Sequence, residues 1–244
     1  MGNIKDQQDV FGQAVKDFYQ KGKAEDIKVH SPDFDDDVIP VDYLFRSYSE
    51  MPFLEQKALE LCSGKILDVG CGAGSHSLYL QNEKNLEVMG IDTSPGAIEV
   101  CKSRGIKNTK EISFYELTGE KFNSILLLMN GTGIIGKLNN LDNFFSHLRN
   151  LLNPEGQVLL DSSDLQYLFD RDEEQGIGID AAKPYYGELQ YRLSYKNFSS
   201  KKFDWLFLDY NSLNLACINN GFDCELLEEG EHYDYLAKLK LMNS

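Results

Sequence analysis

An apolar run that leads into three closely spaced glycines constrains this 244-residue chain more than any other feature. Residues 65–69 have the pattern of a buried strand, Gly70, Gly72 and Gly74 follow directly, and a helical pattern begins at Ser75. Glycines at such a turn permit a positive φ and let a ligand approach the backbone closely. The helix that follows points its unpaired N–H groups at the same ligand. The segment therefore predicts a nucleotide-binding strand–loop–helix unit.

An acid stands at the end of the next apolar strand, where such a unit needs one. That strand is predicted over residues 86–91, and Asp92 follows it, about twenty residues after the loop. A carboxylate in this place can accept hydrogen bonds from both hydroxyls of a ribose. The alternative is a structural glycine turn followed by an Asp that caps the next helix.

The spacing of the glycines separates two kinds of cofactor. The dinucleotide fingerprint is G-x-G-x-x-G, whereas this loop is G-x-G-x-G and has Ser75 where the third fingerprint glycine would stand. Asp68, just before the loop, would repel a pyrophosphate and could hold the loop by accepting backbone N–H bonds. A nucleoside with a cationic sulfonium and an amino-acid tail tolerates such an acid better. The loop therefore favours a sulfonium nucleoside over a nicotinamide dinucleotide.

The rest of the chain continues the alternation of apolar strands and helices. Further strands are predicted near residues 111–115, 124–129 and 157–162, with Ser94 and Pro95 starting one of the helices between them. Fully apolar strands separated by helices indicate an α/β fold with a parallel sheet covered on both faces.

Both ends of this series carry additions. Helical spacing of apolar residues near the N-terminus, together with residues 43–62, predicts an N-terminal helical cap over residues 1–62. Residues 63–244 form the main domain, and alternating aromatic residues predict an antiparallel hairpin inserted at residues 165–209. This hairpin could cover a substrate or simply pack on the sheet; its candidate lid residues are Tyr185, Tyr186, Tyr191, Arg192, Tyr195 and Trp205.

Four segments resemble the motifs of class I S-adenosylmethionine-dependent methyltransferases. Residues 66–74 resemble the first motif, 90–95 the second-strand segment, 122–130 the fourth strand, and 148–156 the helix and turn before the fifth. The resemblance covers residues 65–162 and implies a doubly wound, Rossmann-like sheet of seven strands in the order 3-2-1-4-5-7-6. Asn123 and Glu155 depart from the common pattern, at positions that the chemistry does not need.

The resemblance also implies S-adenosyl-L-methionine as the cofactor and assigns roles to matched positions. Asp68 would lie just before the loop, and Asp92 would hold the ribose with Thr93 beside it. Glu111 or Ile112 would contact the adenine. Asn130 would border the methionine and its methyl group. The loop residues that would line the methionine portion are Gly70, Cys71, Gly72 and Gly74. In this fold a segment before the first strand can close over the cofactor. Tyr43 and Arg46 lie in such a segment, and Arg46 could grip a carboxylate or form a surface salt bridge.

The sequence singles out no catalytic residue. Methyl transfer from a sulfonium needs mainly alignment of nucleophile and methyl, and a base only where the nucleophile carries a proton. Structural roles are favoured for His76 and His147, and His232 lies in an acidic turn. We also expect no metal site, because the five cysteines form no C-x-x-C pair.

Charge and composition narrow the partners. A formal net charge of −15 repels phosphate backbones and anionic lipids, so we expect neither nucleic acid nor membrane as a partner. The polar N-terminus lacks the apolar run of a signal peptide, which together with the cysteines predicts a cytoplasmic protein.

The leading hypothesis is therefore methyl transfer to a small-molecule acceptor. Because no base is evident, a non-catalytic cofactor-binding sensor or partner subunit is the alternative, and an oxidoreductase of the same fold is a third hypothesis that Ser75 disfavours. The oligomeric state and the acceptor atom are not predicted.

Overall fold

The computed structural model describes residues 9–168 and 185–242. The helices are α1 (Val10–Lys21), α2 (Phe53–Leu61), α3 (Ser75–Asn82), α4 (Pro95–Ser103), α5 (Leu141–Leu151) and α6 (Tyr210–Asn219). The strands are β1 (Ile27–His30), β2 (Asp37–Ile39), β3 (Lys65–Val69), β4 (Glu87–Asp92), β5 (Thr109–Glu111), β6 (Phe122–Leu127), β7 (Leu152–Ser163), β8 (Glu188–Tyr195), β9 (Phe198–Ser199), β10 (Phe203–Leu206), β11 (Phe222–Glu229) and β12 (Asp234–Leu241).

A seven-stranded sheet forms the centre of the molecule. Its order is β5-β4-β3-β6-β7-β12-β11. Strands β3 to β7 run parallel, whereas β12 is antiparallel to both β7 and β11. Numbered by their order along the chain within this sheet, the strands stand in the order 3-2-1-4-5-7-6, which confirms the predicted fold class.

Side chains of β3 alternate between two apolar layers. Leu67 packs in the layer that includes α5 and α6, and Ile66 packs in the layer that includes α2 and α3. Both side chains are fully buried. The parallel strands are thus covered on both faces, and their carboxyl ends open at one edge, where ligands bind in such sheets. Within the described ranges no helix is long and apolar enough to cross a membrane.

The third strand is displaced from its predicted position. It was expected over residues 111–115, but β5 ends at Glu111 and residues 114–116 form a 3-10 turn. Ser113 and Glu116 make a capping box at this turn, which satisfies backbone donors locally and ends the extended chain.

The segment over residues 43–62, predicted as helical with Pro52 at a break or a helix start, is broken before Pro52. Two 3-10 turns, at residues 42–45 and 48–50, precede α2, which begins only after Pro52. Proline lacks the N–H that a helix interior needs, so the helix starts behind it. The broken segment leaves Tyr43 and Arg46 in a turn rather than on a regular helix.

A second sheet lies beside the first, with strands in the order β10-β8-β1-β2. The antiparallel pairing of β8 with β10 confirms the inserted hairpin, while its residues 169–184 lie outside the described residues. Strand β8 also pairs with β1, joining Val29 to Leu193. The N-terminal segment therefore contains two strands besides its helices, and the division into domains stays a prediction.

Candidate functional site

The glycine loop crosses the carboxyl end of β3, next to the crevice between β3 and β6. The amides of Gly70 and Cys71 donate to the carbonyl of Ile91, at 2.9 and 3.0 Å, and so tie the loop to the neighbouring strand. Gly70, Gly72 and Gly74 have φ values of 69°, 54° and 84°. Among the described residues no atom lies within 4 Å of a Cβ built on Gly70, so its backbone is open to a ligand.

Packing, as well as backbone conformation, requires glycine at position 74. A Cβ there would lie 2.3 Å from Cδ1 of Ile106. We expect Gly74→Ala to lower the free energy of unfolding by about 1–3 kcal/mol, since it combines a left-handed backbone with a clash. Gly105→Ala is the matched control, because φ is 94° there and no described atom lies within 4 Å of the added Cβ. Equal urea-unfolding midpoints for the two variants would contradict the steric part of this prediction.

The two acids near the loop have different surroundings. Asp68 is buried, and its carboxylate accepts a hydrogen bond from the Ser77 hydroxyl in α3 at 2.6 Å. Its partner is thus the helix rather than the N–H groups of the loop, which corrects the predicted contact. Burial raises the pKa of Asp68.

Asp92 ends β4 and joins the loop to the next turn. Its Oδ2 accepts from the Gly72 amide at 3.0 Å and its Oδ1 from the Ser94 amide at 2.8 Å. Burial raises the pKa of Asp92 to about 6, although these two amides oppose the rise. Ser94 also caps α4 through the Ala97 amide, as predicted. Asp92 is thus a partly buried residue whose carboxylate is fixed at the carboxyl end of β4.

The remaining predicted contacts on this side lie at the same edge. Thr93 is exposed directly after Asp92, and Glu111 is the exposed register partner of Asp92 on β5. The amide of Ile112 donates to the Asp92 carbonyl at 3.0 Å, and its side chain is partly buried. The structure brings these residues together, and their roles stay predictions.

The end of β6 carries two residues in the left-handed region. Met129 and Asn130 have φ values of 66° and 59°, which is strained for Met and tolerated by Asn. Asp161, on β7, accepts from the amides of Met129 and Gly131, each at 3.0 Å. The Ser163 hydroxyl donates to Oδ1 of Asn130 at 2.8 Å. The polar end of β7 thus holds the turn on which Asn130 lies.

Asp161 was not predicted, although a polar residue at the end of an apolar strand could have indicated it. Burial raises its pKa to about 6, with the charge of Glu55 adding to the rise and the Gly131 amide opposing it.

Arg46 forms a buried ion pair with Glu55 instead of a surface salt bridge. The two side chains are 4% and 5% exposed. The guanidinium also donates to the Tyr43 carbonyl at 2.7 Å and lies 4.1 Å from the centre of the Tyr43 ring. Nε2 of His76 lies 2.6 Å from Oε2 of Glu55. Although burial opposes it, the hydrogen bond to His76 and the charges of His76 and Arg46 hold the pKa of Glu55 below its usual value.

This buried group connects the N-terminal segment to the loop side of the sheet. The Ser75 hydroxyl donates to the Leu44 carbonyl at 2.9 Å and places the turn at residues 42–45 against α3. Burial raises the pKa of Tyr43, and the charges of Glu55 and Asp161 add to the rise. Tyr43 is partly exposed, so its ring belongs to the surface between the loop and the end of β7. Glu55 had no sequence signal, because its two partners, Arg46 and His76, come from separate segments of the chain.

The other histidines and the hairpin have mainly structural contacts. Nε2 of His147 lies 2.7 Å from the Phe114 carbonyl, and His232 is exposed. The ring of Trp205 fills the space beside Gly133, and the Tyr195 hydroxyl donates to Asp17 at 2.8 Å. These two rings join the hairpin to its neighbours, as the packing interpretation expected.

Other tyrosines, including Tyr186 of the predicted lid, lie around the end of β7. The Tyr186 hydroxyl donates to Asp164 at 2.8 Å, and the rings of Tyr167 and Tyr233 are stacked with centres 4.6 Å apart. The amide of Asp164 donates to the Tyr233 carbonyl at 2.9 Å. An aromatic surface therefore adjoins Asn130 on the side away from Asp92.

Comparison with known proteins identifies what this arrangement is similar to. A family model described as a methyltransferase domain matches residues 63–207. A crystal structure of an S-adenosylmethionine-dependent methyltransferase from Bacteroides fragilis, in complex with S-adenosyl-L-homocysteine, is 45% identical with a TM-score of 0.90. The match covers 97% of this chain and 96% of that one.

Two further matches are more limited. An uncharacterised methyltransferase of Emericella nidulans is 30% identical over 115 residues, which are 39% of this chain and only 40% of that protein. The sugar N-methyltransferase KedS8 from a Streptoalloteichus species has a TM-score of 0.54 at 14% identity, covering 78% of this chain and 86% of that one. At that identity the likeness concerns the fold alone.

Proposed function

The chain belongs to the S-adenosylmethionine-dependent methyltransferases, and we propose on that premise that it transfers a methyl group to a small-molecule acceptor. The observation that carries the proposal is the open backbone at Gly70 beside the fixed carboxylate of Asp92. An adenosyl group needs a close backbone approach and an acceptor for its ribose hydroxyls, and these residues fit both needs.

Within this proposal the residues of the glycine loop and of the adjoining strand ends have definite tasks. The loop residues Gly70, Cys71, Gly72 and Gly74 line the amino-acid end of the cofactor, with Asp68 holding α3 beneath them. Asp92 accepts from the ribose, with Thr93 beside it and Glu111 or Ile112 at the adenine. When bound, S-adenosylmethionine would supply a methyl group on a cationic sulfur: the acceptor's nucleophile would bond to the methyl carbon as the carbon–sulfur bond breaks, and S-adenosyl-L-homocysteine would leave.

The acceptor side is proposed at the ends of β6 and β7. Asn130 is held by Ser163 there, and the tyrosines beside Asp164 offer apolar ring faces with polar tips. Catalysis by alignment alone can contribute up to about 7–11 kcal/mol in favourable cases. The residues therefore need to orient the acceptor and exclude water, and no residue is assigned as a base.

The free thiols and the net charge support the proposed cytoplasmic location and the proposed class of acceptor. All five cysteines are free, which suits a reducing cytoplasm. A net charge of −15 favours a small molecule over nucleic acid as the acceptor.

The test is the formation of S-adenosyl-L-homocysteine from S-adenosylmethionine on incubation with fractionated small-molecule extracts. We expect turnover in some fraction by the wild type and, at a cofactor concentration well below saturation, much less by Asp92→Ala. Binding of S-adenosylmethionine without turnover in any fraction would favour the sensor alternative. No binding at millimolar cofactor would contradict both.

The affinity for S-adenosyl-L-homocysteine should fall as the pH falls through 6. The pKa of Asp92 is about 6, so its carboxylate is mostly ionised at pH 7 and mostly protonated at pH 5. A protonated carboxyl has lost an acceptor for the ribose, and we expect binding at pH 5 to be roughly tenfold weaker than at pH 7. Calorimetry at both values measures the change.

Asp161 needs a control of its own, because its pKa is also about 6. Asp161→Asn should retain the pH dependence of binding if Asp92 is the titrating group. Loss of the dependence in that variant would assign the effect to Asp161 and contradict the prediction.

A further inference from the structure

The start of α1 lies against the glycine loop. Atoms Cζ and Cε1 of Phe11 lie 3.3 and 3.5 Å from the position that a Cβ on Gly72 would take. The Phe11 ring is only partly buried, so part of it faces outward beside the loop. An aromatic ring from the N-terminal segment therefore adjoins the central glycine of the loop.

One carboxylate fixes this position by capping two helices. Oδ1 of Asp9 accepts from the Gly12 amide at 2.9 Å and from the Ser94 hydroxyl at 2.7 Å. Oδ2 of Asp9 accepts from the Gly96 amide at 2.9 Å. Asp9 is thus the N-cap of α1 and also binds the first turn of α4.

The two helices touch through their backbones at this end. A Cβ on Gly96 would lie 2.7 Å from Cα of Gly12, so neither position has room for a side chain without a shift. Further along, Lys16 and Glu99 pair at 2.6 Å between exposed parts of the same helices. The first turn of α1 is therefore fixed by its backbone contact with α4 and by the bonds of Asp9, in addition to the ion pair further along the helices.

The same turn of chain holds Asp92. The Ser94 amide donates to Asp92 and the Ser94 hydroxyl donates to Asp9, so one residue joins the two carboxylates. Ser94 therefore couples the position of Asp9 to that of Asp92, the proposed ribose acceptor.

We propose that α1 forms the outer wall of the cofactor site, with Phe11 contacting the bound cofactor and Asp9 acting as the positioning residue that holds the wall in place. This inference rests on the proposed function. It implies that the contacts of Asp9 control the rate at which the cofactor leaves.

The test uses a variant that keeps the helix cap. In Asp9→Asn, asparagine still caps α1, since it is as good an N-cap as aspartate, but its single acceptor oxygen cannot serve three donors. We expect the dissociation rate of S-adenosyl-L-homocysteine to rise roughly tenfold, because most affinity changes of this kind appear in dissociation. Phe11→Ala should act in the same direction.

Lys16→Ala is the matched control, because it removes an exposed contact of the same helix. Stopped-flow binding should be unchanged in this variant. Hydrogen exchange tests whether α1 responds to the cofactor, which a purely structural helix would not do. Amides of residues 10–21 should become more protected when S-adenosyl-L-homocysteine binds to the wild type. The gain in protection should be smaller in Asp9→Asn.

The outcomes separate the two proposals. If the wild type binds no S-adenosyl-L-homocysteine, the proposed function fails and this inference fails with it. If the wild type binds it, but Asp9→Asn and Phe11→Ala both behave like Lys16→Ala, only the wall is disproved. Should Asp9→Asn fail to fold, Phe11→Ala and the exchange of the wild type still decide the question.

Discussion

We expect Asp92→Ala to weaken the binding of S-adenosyl-L-homocysteine by roughly 10- to 150-fold. This corresponds to about 1.5–3 kcal/mol for lost hydrogen bonds to a charged group. The variant removes the proposed acceptor of both ribose hydroxyls. It also leaves the amides of Gly72 and Ser94 without the carboxylate that orients them. Isothermal titration at pH 7.5 measures the effect.

Glu87→Ala is the control for this experiment. Glu87 begins the same strand that Asp92 ends, is exposed, and lies 3.7 Å from Lys65. Removing an acid there changes the net charge equally but leaves the carboxyl edge of the sheet intact. Equal losses of affinity in the two variants would point to charge alone and would remove Asp92 from the site.

The features that sequence predicted well are those specified by local pattern. Strand β3 has the predicted bounds, and Ser94 caps α4 where Ser-Pro indicated a helix start, because caps and apolar runs depend on neighbouring residues. The seven-strand order came from the family resemblance, which itself depended on the loop and Asp92. Local chemistry and a motif were thus enough to predict the edge of the sheet at which the cofactor binds.

Contacts between distant segments could not be predicted in the same way. Strand β1 pairs with β8, which lies more than 150 residues later. Nothing in the sequence of either strand indicates which strand it pairs with. Aspartate is a common helix cap, and only the structure shows that Asp9 also accepts from Ser94 and Gly96. The contacts of Asp9 and Phe11 beside the loop were not predicted, because they depend on such pairings.

Glu55→Gln should be the most destabilising of the conservative changes. Glu55 accepts from Arg46 and His76 inside the protein, and the variant leaves the Arg46 guanidinium buried without its counter-charge. Breaking a buried pair by removing one partner costs about 3–5 kcal/mol, and we expect a loss of that size in the free energy of unfolding by urea. Among the described residues Nε of Arg46 already lacks a partner, so no neighbour is placed to compensate.

Glu60→Gln, on the same helix, shows whether burial is the cause. Glu60 pairs with Lys84 at 2.6 Å, but its side chain is 48% exposed. Such a surface pair contributes about 0–1 kcal/mol, so this variant should unfold almost as the wild type does.

Glu55→Gln should also lower the pKa of Asp161, because the charge of Glu55 helps to raise it. A stable Glu55→Gln protein with an unchanged Asp161 pKa would contradict both expectations.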